Sequence, residues 1–506
     1  MPTSTRTCAA QPLAREPIRI PPADTDDVHL IWTAVSGGQS IADLDTIRIE
    51  IPFGNDSAAS ITKWLSSLHA AGLHELVHQE DDEEGAGGRI FVHQHLALMA
   101  EVQARRHTAP VTFWTWERLH SELDTPRDVL QFMETRRPFV VFLVQTHVAM
   151  DVLPVYERIE TRWTTLGTGT RVYPNPLELL QAHGKLGDIR QLDEIARGSE
   201  PAWSFRPRTC FPRGACALRS EARTVHKRNY SGSTQHVKLV PAGAGGSELT
   251  CLPESAGRKR KRRPQYAEDA CASWFHQEYM PSLESVGEFR VFIVASPDPT
   301  GLRGLRGKVV YALQTLTQRP LTPLEQRGCE FWIYDPDFED PQLEGMSDTK
   351  LHGFALHVYE QLRKTGKSQY ESLEVGVRLD IGVSPPSPVD GEKMFFVNEI
   401  SRWYEAHWLC QQASKYFDTK LWEVWAEAFE RWLRTVGAPA SSERRGEDER
   451  CAGRLSVVSL LTAAARVEDE REAGASGEPK EDRTATVSAL LVKEETRRNA
   501  RATAQR

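Results

Sequence analysis

The sequence predicts a mixed α/β protein, and three observations carry that prediction. Short β-prone runs alternate with segments of helical period, most regularly from Ala109 onward. One run, Phe139 to Val144, is apolar throughout and reads as a buried strand. Two later runs, Leu373 to Asp380 and Met394 to Ile400, each bring a carboxylate to the end of a strand: Asp380 in the first and, nineteen residues further on, Glu399 in the second.

Taken in order, residues 1–27 are rich in Pro and charge and are expected to be unordered. Val28 to Ala34 and Asp45 to Phe53 read as strands. Ser57 to Leu73 carries Ile61, Trp64, Leu65 and Leu68 at helical spacing and reads as an amphipathic helix. The acidic run Glu80 to Glu84, followed by Gly-Ala-Gly-Gly, is a solvated surface turn. A helix is expected from Pro154 to Gly167, ahead of the strand end Thr170 to Pro176 that contains Asn175. These elements make an α/β opening domain over 28–170, followed by a second region over 171–437.

Residues 198–222 lack periodicity and read as a connector. Residues 241–264 read as an insertion, Gly-rich first and then strongly basic over 257–263. Thr419 to Val436 places Trp422, Trp425 and Trp432 at helical spacing, the mark of a core-packing helix. The last stretch, 438–506, is charged and poor in large apolar residues, a composition expected to stay disordered.

Composition bounds the function. A 506-residue chain with a net charge of -8 and a pI near 6.1 is not built to coat nucleic acid or an anionic membrane. No apolar run reaches the length of a membrane span, and the N-terminal stretch lacks the apolar core of a secretory signal. A cytoplasmic protein is expected. The basic run 257–263 admits a nuclear import signal, with an import receptor as partner, or a solvated loop. Eight cysteines in so long a chain do not form a disulfide framework, and the spacing of Cys210 and Cys216 matches no zinc ribbon.

The motifs that carry chemistry lie in the second region. Asp and Glu oxygens suit a hard cation such as Mg²⁺, which usually completes its shell with phosphate oxygens and water. Upstream, Thr224 to Val237 is a strand bearing Lys227 that runs into the loop Ser231-Gly232-Ser233-Thr234. Such a loop lets backbone N–H groups and hydroxyls approach phosphate, and the lysine adds a point charge. Trp274 to Pro281 is an aromatic-rich strand, and Gly287 to Val294 is a second that opens on Glu288 and Arg290.

In this order the motifs resemble the ATP-grasp superfamily, which includes D-alanine ligases and glutathione synthetases; the resemblance runs from about Tyr173 to Trp408. It implies an ATP-grasp fold after an α/β pre-domain, with ATP and Mg²⁺ as cofactors. By the resemblance, Lys185 and Lys227 flank the phosphates, Ser231, Gly232 and Ser233 belong to the flap over them, Gln277, Glu278, Tyr279 and Met280 border adenine, and Glu288 holds the ribose. It also places Asp380, Glu399 and Ser401 at the metal, and Arg290 and Arg378 facing the reacting groups. Arg402 is expected to pair with a substrate carboxylate, with Trp403, Tyr404 and His407 beside it; Trp403 and Tyr404 read equally as packing behind the metal strand. The motif departs from the family's Glu-x-Asn in having Ser401 at its third position, and Asn398 can substitute only if the strand register differs.

The implied reaction is carboxylate activation: phosphoryl transfer from ATP gives an acyl phosphate, which an amine then attacks. Its partners are small-molecule or peptide carboxylates and amines. Two alternatives remain, an ATP-grasp-type kinase acting on a hydroxyl and a catalytically inactive nuclear scaffold. A protein kinase is not expected, since neither its Gly-rich strand loop nor its His-Arg-Asp loop is present.

Overall fold

In the computed structural model, four sheets make up the β-structure of the described residues, which are 28–34, 48–51, 77–80, 89–93, 98–99, 101–102, 105, 111–126, 139–144, 149–163, 171–183, 185–210, 218, 223–228, 237–240, 274–300, 304–317, 329–333, 346–406 and 421–437. The helix expected over Ser57 to Leu73, the loop Ser231 to Ser233, Cys216, His407, the basic run 257–263, the first 27 residues and the tail 438–506 lie outside them.

The first sheet is parallel. Strands β1 (His29–Ala34), β5 (Val111–Thr115), β6 (Phe139–Val144) and β7 (Arg171–Tyr173) run in the order β5-β1-β6-β7. Parallel strands need crossovers that cover the sheet. Helices α1 (Trp116–Asp124) and α2 (Ala149–Trp163) supply that cover, packing Leu119, Leu123, Tyr156 and Trp163 with Ile31 and Val141. Helix α2 starts at Ala149, ahead of the Pro154 start expected from sequence. Strands β2 (Arg48–Ile51), β3 (Val77–Glu80) and β4 (Arg89–His93) form a separate antiparallel sheet, in the order β2-β4-β3.

After β7 come α3 (Pro176–His183) and α4 (Lys185–Gly198). Asn175 caps α3, its Oδ1 accepting from the Leu177 N–H at 2.9 Å, with Pro176 at the first helical position. A small antiparallel sheet follows, β8 (Thr209–Cys210), β9 (Thr224–Arg228), β10 (Val237–Val240) and β11 (Trp274–Glu278), in the order β10-β9-β11-β8. Cys210 is buried and takes part in no disulfide.

The largest sheet is antiparallel, with strand order β14-β13-β12-β15-β16: β12 (Glu288–Pro297), β13 (Leu305–Thr317), β14 (Cys329–Ile333), β15 (Gly376–Val383) and β16 (Phe395–Arg402). One face buries Val377, Leu379 and Ile381 against helix α5 (Asp348–Lys364), whose N-cap Ser347 accepts from the Lys350 N–H at 3.2 Å. At the other, helix α6 (Leu421–Gly437) sets Trp425 against Phe292 and Trp403. Gly376 is required there, because a Cβ would lie 2.5 Å from both Ile293 O and Trp425 Nε1.

Two sequence boundaries shift. Leu373 and Glu374 belong to a 3₁₀ turn (Ser368–Glu374), and β15 runs on to Val383, so Asp380 lies inside its strand. Glu399 likewise lies inside β16.

Candidate functional site

Alternation along β15 sends Val377 and Leu379 into the core and leaves Arg378 and Asp380 on the opposite face. Register then assembles the rest. Asp380 pairs with Glu399 on β16 and with Arg290 on β12, and Arg378 pairs with Ser401. Between Asp380 and Ile381 the register slips: Ile381 pairs with Val397, so Asn398 is an extra residue in β16.

Arg378 is buried and grips Asp380 in a bidentate pair, Nε to Oδ1 at 2.7 Å and Nη2 to Oδ2 at 2.9 Å, and Nη2 also donates to Ser401 Oγ at 2.8 Å. The small sheet reaches the large one through Lys227, whose Nζ donates to Gln277 Oε1 at 2.8 Å and to Asn398 Oδ1 at 3.2 Å. Asn398 Nδ2 in turn donates to Glu288 Oε1. Lys185, the first residue of α4, places Nζ 3.7 Å from Glu399 Oε1. A cation at a helix N-terminus sits against the macrodipole; here the Glu399 carboxylate offsets that.

The charges act on one another. Burial, and then the neighbouring Lys185, brings the Lys227 ammonium down to about 8, against the pull of Glu399 and Glu288. Lys185 above all holds the Glu399 carboxyl below its ordinary range; partial desolvation opposes it, and Arg378, Lys227 and Arg290 add to it. Burial and the nearby Asp380 push the Glu288 carboxyl up, restrained by Arg290 and by the Asn398 hydrogen bond. Lysines and arginines thus surround a pair of facing carboxylates, an arrangement suited to a polyanion carried with a cation. Among the described residues, no three His, Cys, Asp or Glu side chains are grouped to hold a metal unaided. Two carboxylates that rely on a ligand's phosphates fit Mg²⁺, which seldom occupies an all-protein cage.

Not every expected residue joins this cluster. Gln277 does, through Lys227, but Glu278 is held by Arg208, with Nη2 to Oε1 at 3.1 Å, and the Tyr279 ring lies under the Arg223 guanidinium at 4.4 Å. Met280 is buried.

Arg402 requires a correction. Instead of facing a substrate, it is fully buried, donating Nη1 to Asp188 Oδ2 at 2.8 Å, Nη2 to Asp188 Oδ1 at 3.0 Å and Nε to Glu178 Oε1 at 3.2 Å. Alternation explains the difference, since Arg402 follows Ser401 and turns to the other side of β16. Trp403 and Tyr404 are core residues as well: Trp403 Nε1 donates to Tyr173 Oη at 2.6 Å, and both rings pack on Tyr173. Sequence reasoning missed Glu178 and Asp188, which hold Arg402, and Asn398 as the junction of Lys227 and Glu288.

No protein-family model matches the chain, and no curated protein matches it. Among solved structures it is similar to the D-cycloserine synthetase DcsG, at 14% identity over 66% of this chain and 93% of that one, with a TM-score of 0.38. It is also similar to the D-alanine-D-alanine ligase from Helicobacter pylori, at 13% identity over 60% of this chain and 71% of that one, with a TM-score of 0.29.

Proposed function

We propose that the chain is an ATP-dependent ligase of ATP-grasp type, which activates a substrate carboxylate as an acyl phosphate and joins it to an amine. One observation carries the reading: Asp380 and Glu399 face each other in cross-strand register, with Lys185 of α4 beside Glu399, Arg378 paired to Asp380 within the same strand, and Lys227 of the small sheet on the adjoining Asn398. The ordered motifs of the sequence supply the family.

Mg²⁺ would be held by Asp380 and Glu399, where it would neutralise phosphate charge as phosphoryl transfer proceeds. Lys185 and Lys227 face the phosphates as fixed cations that need little reorganisation. Arg378, once Asp380 has another partner, is free to turn its guanidinium towards a phosphoryl or carboxylate oxygen, which its planar fork matches. Glu288, anchored by Asn398, is placed to accept hydroxyl hydrogen bonds. The amine then forms the C–N bond as the acyl C–O bond breaks, and inorganic phosphate leaves with the electron pair.

The test is calorimetric titration of the full chain with ATP, with and without Mg²⁺, beside Asp380→Asn and Glu399→Gln. Mg²⁺-dependent binding in the wild type that is lost in both variants supports the site; binding indifferent to both variants refutes it. Hydroxylamine then separates reactions, since a trapped hydroxamate marks an acyl phosphate and a hydroxyl kinase gives none.

A further inference from the structure

Asn398 precedes the motif's metal-binding glutamate, and simple alternation would turn it away from Asp380 and Glu399. The bulge prevents that. Two residues of a bulged strand oppose one on the partner, and here Asn398 and Glu399 together stand against Asp380, while Val397 goes into the core with Ile381. The Asn398 contacts agree, for Oδ1 meets Lys227 at 3.2 Å and Nδ2 meets Glu288, both members of the site.

Ser401 has different surroundings. It is buried, and its hydroxyl accepts from Arg378 Nη2 at 2.8 Å, beside the guanidinium that already spans Asp380. A cation approaching Ser401 meets that fixed positive charge. Asn398 Oδ1 also has a cation beside it, the Lys227 ammonium at 3.2 Å, but it is an amide oxygen with a second lone pair, next in sequence to Glu399 and anchored on Glu288 through Nδ2, and such neutral oxygens are ordinary donors to hard cations.

We infer that Asn398, delivered by the bulge, supplies the neutral oxygen of the metal-phosphate site, and that Ser401 serves to anchor Arg378. The inference rests on the Mg-ATP reading above. It assigns the role that Ser401 fills poorly to a residue the motif does not include.

Mn²⁺ binding tests it without any turnover. The full chain with ADP is titrated with Mn²⁺ and bound metal is read by electron paramagnetic resonance. Asn398→Ala is expected to weaken Mn²⁺ about tenfold or more, Asn398→Asp to retain or tighten it by adding an anionic oxygen, and Ser401→Ala to weaken it far less than Asn398→Ala. Loss in Ser401→Ala with retention in Asn398→Ala overturns the inference while leaving the Mg-ATP reading intact. Should Asn398→Ala fail to fold, Asn398→Asp decides: weakened Mn²⁺ in a folded Asn398→Asp protein overturns it. A wild type that binds no Mn²⁺ with ADP overturns both readings together.

Discussion

Two charged clusters draw on β16, one through Glu399 and the other through Arg402 three residues further on, on opposite sides of the strand, and they differ in what they leave unsatisfied. Around Arg402 everything is closed. Its guanidinium is shared between Asp188 and Glu178, Glu178 also accepts from the Ser372 N–H at 2.9 Å and the Ser372 hydroxyl, and Tyr370 Oη donates to Asp188 at 3.1 Å. In the other cluster Arg378 holds Asp380 tightly, but the contacts at Glu399 are looser: the Lys185 contact is long, and the Glu399 side chain is 46% exposed. A saturated, dry cluster fixes structure, whereas a half-open one with paired carboxylates and nearby cations retains capacity for a ligand. The arginine that the motif order nominates for substrate therefore belongs to the framework.

The sharpest way to break this comparison is to remove Arg402. Arg402→Ala leaves Glu178 and Asp188 buried without their cation, and chemical denaturation is expected to show a loss of about 3–5 kcal/mol. Ser372→Ala should cost less, about 1.5–3 kcal/mol, since it removes one hydrogen bond to a buried carboxylate. A folded Arg402→Ala protein with unchanged stability and impaired substrate binding would restore the rejected role.

This contrast also marks what the sequence makes legible. Apolar alternation locates β15 and β16, and the face-to-face approach of Asp380 and Glu399 follows once the two strands pair. Tryptophans at helical spacing likewise locate α6. The bulge is not legible, because a period of two carries no mark for one added residue. Nor are the partners of Arg402, which lie 214 and 224 residues away along the chain. Glu178 misleads locally as well: Asn175-Pro176-Leu177-Glu178 has the spacing of a capping box, yet the glutamate turns to Ser372 and Arg402. Burial pushes its carboxyl up to about 7, with Arg402 and Ser372 pulling the other way. Long-range ion pairs are set by packing, and local patterns do not contain them.

In the open cluster, function and stability should separate. Lys227→Met removes a cation that burial disfavours, so thermal melting is expected to stay level or rise, while ATP affinity falls about tenfold to a hundredfold with the loss of a charged hydrogen bond. Parallel losses of melting temperature and affinity would place Lys227 with the framework group.

Proton linkage gives a finer test of the same lysine. Its ammonium titrates at about 8 in the fold against an ordinary 10.5. Between those values the unfolded chain holds more protons, so this group makes stability rise with pH from about 8 towards 10.5. Phosphate binding favours the charged form and reverses the trend. Nucleotide binding near pH 8 should take up protons, seen as a calorimetric enthalpy that varies with the ionisation enthalpy of the buffer, and Lys227→Met should abolish that variation. Uptake that persists in the variant would assign the proton to another group.

The smallest effect on stability is expected at Lys185. Its contact with Glu399 is 3.7 Å and partly solvated, and exposed pairs contribute about 0–1 kcal/mol. Lys185→Met should therefore leave the denaturation midpoint nearly in place. Since Lys185 is the main influence holding the Glu399 carboxyl low, the same variant should let that carboxyl take up a proton at higher pH, which carbonyl-region infrared titration can follow. Mn²⁺ binding should then fail at a higher pH than in the wild type, because a protonated carboxyl is a poor ligand. An unmoved Glu399 titration would detach Lys185 from the open cluster and leave Lys227 to balance the carboxylates.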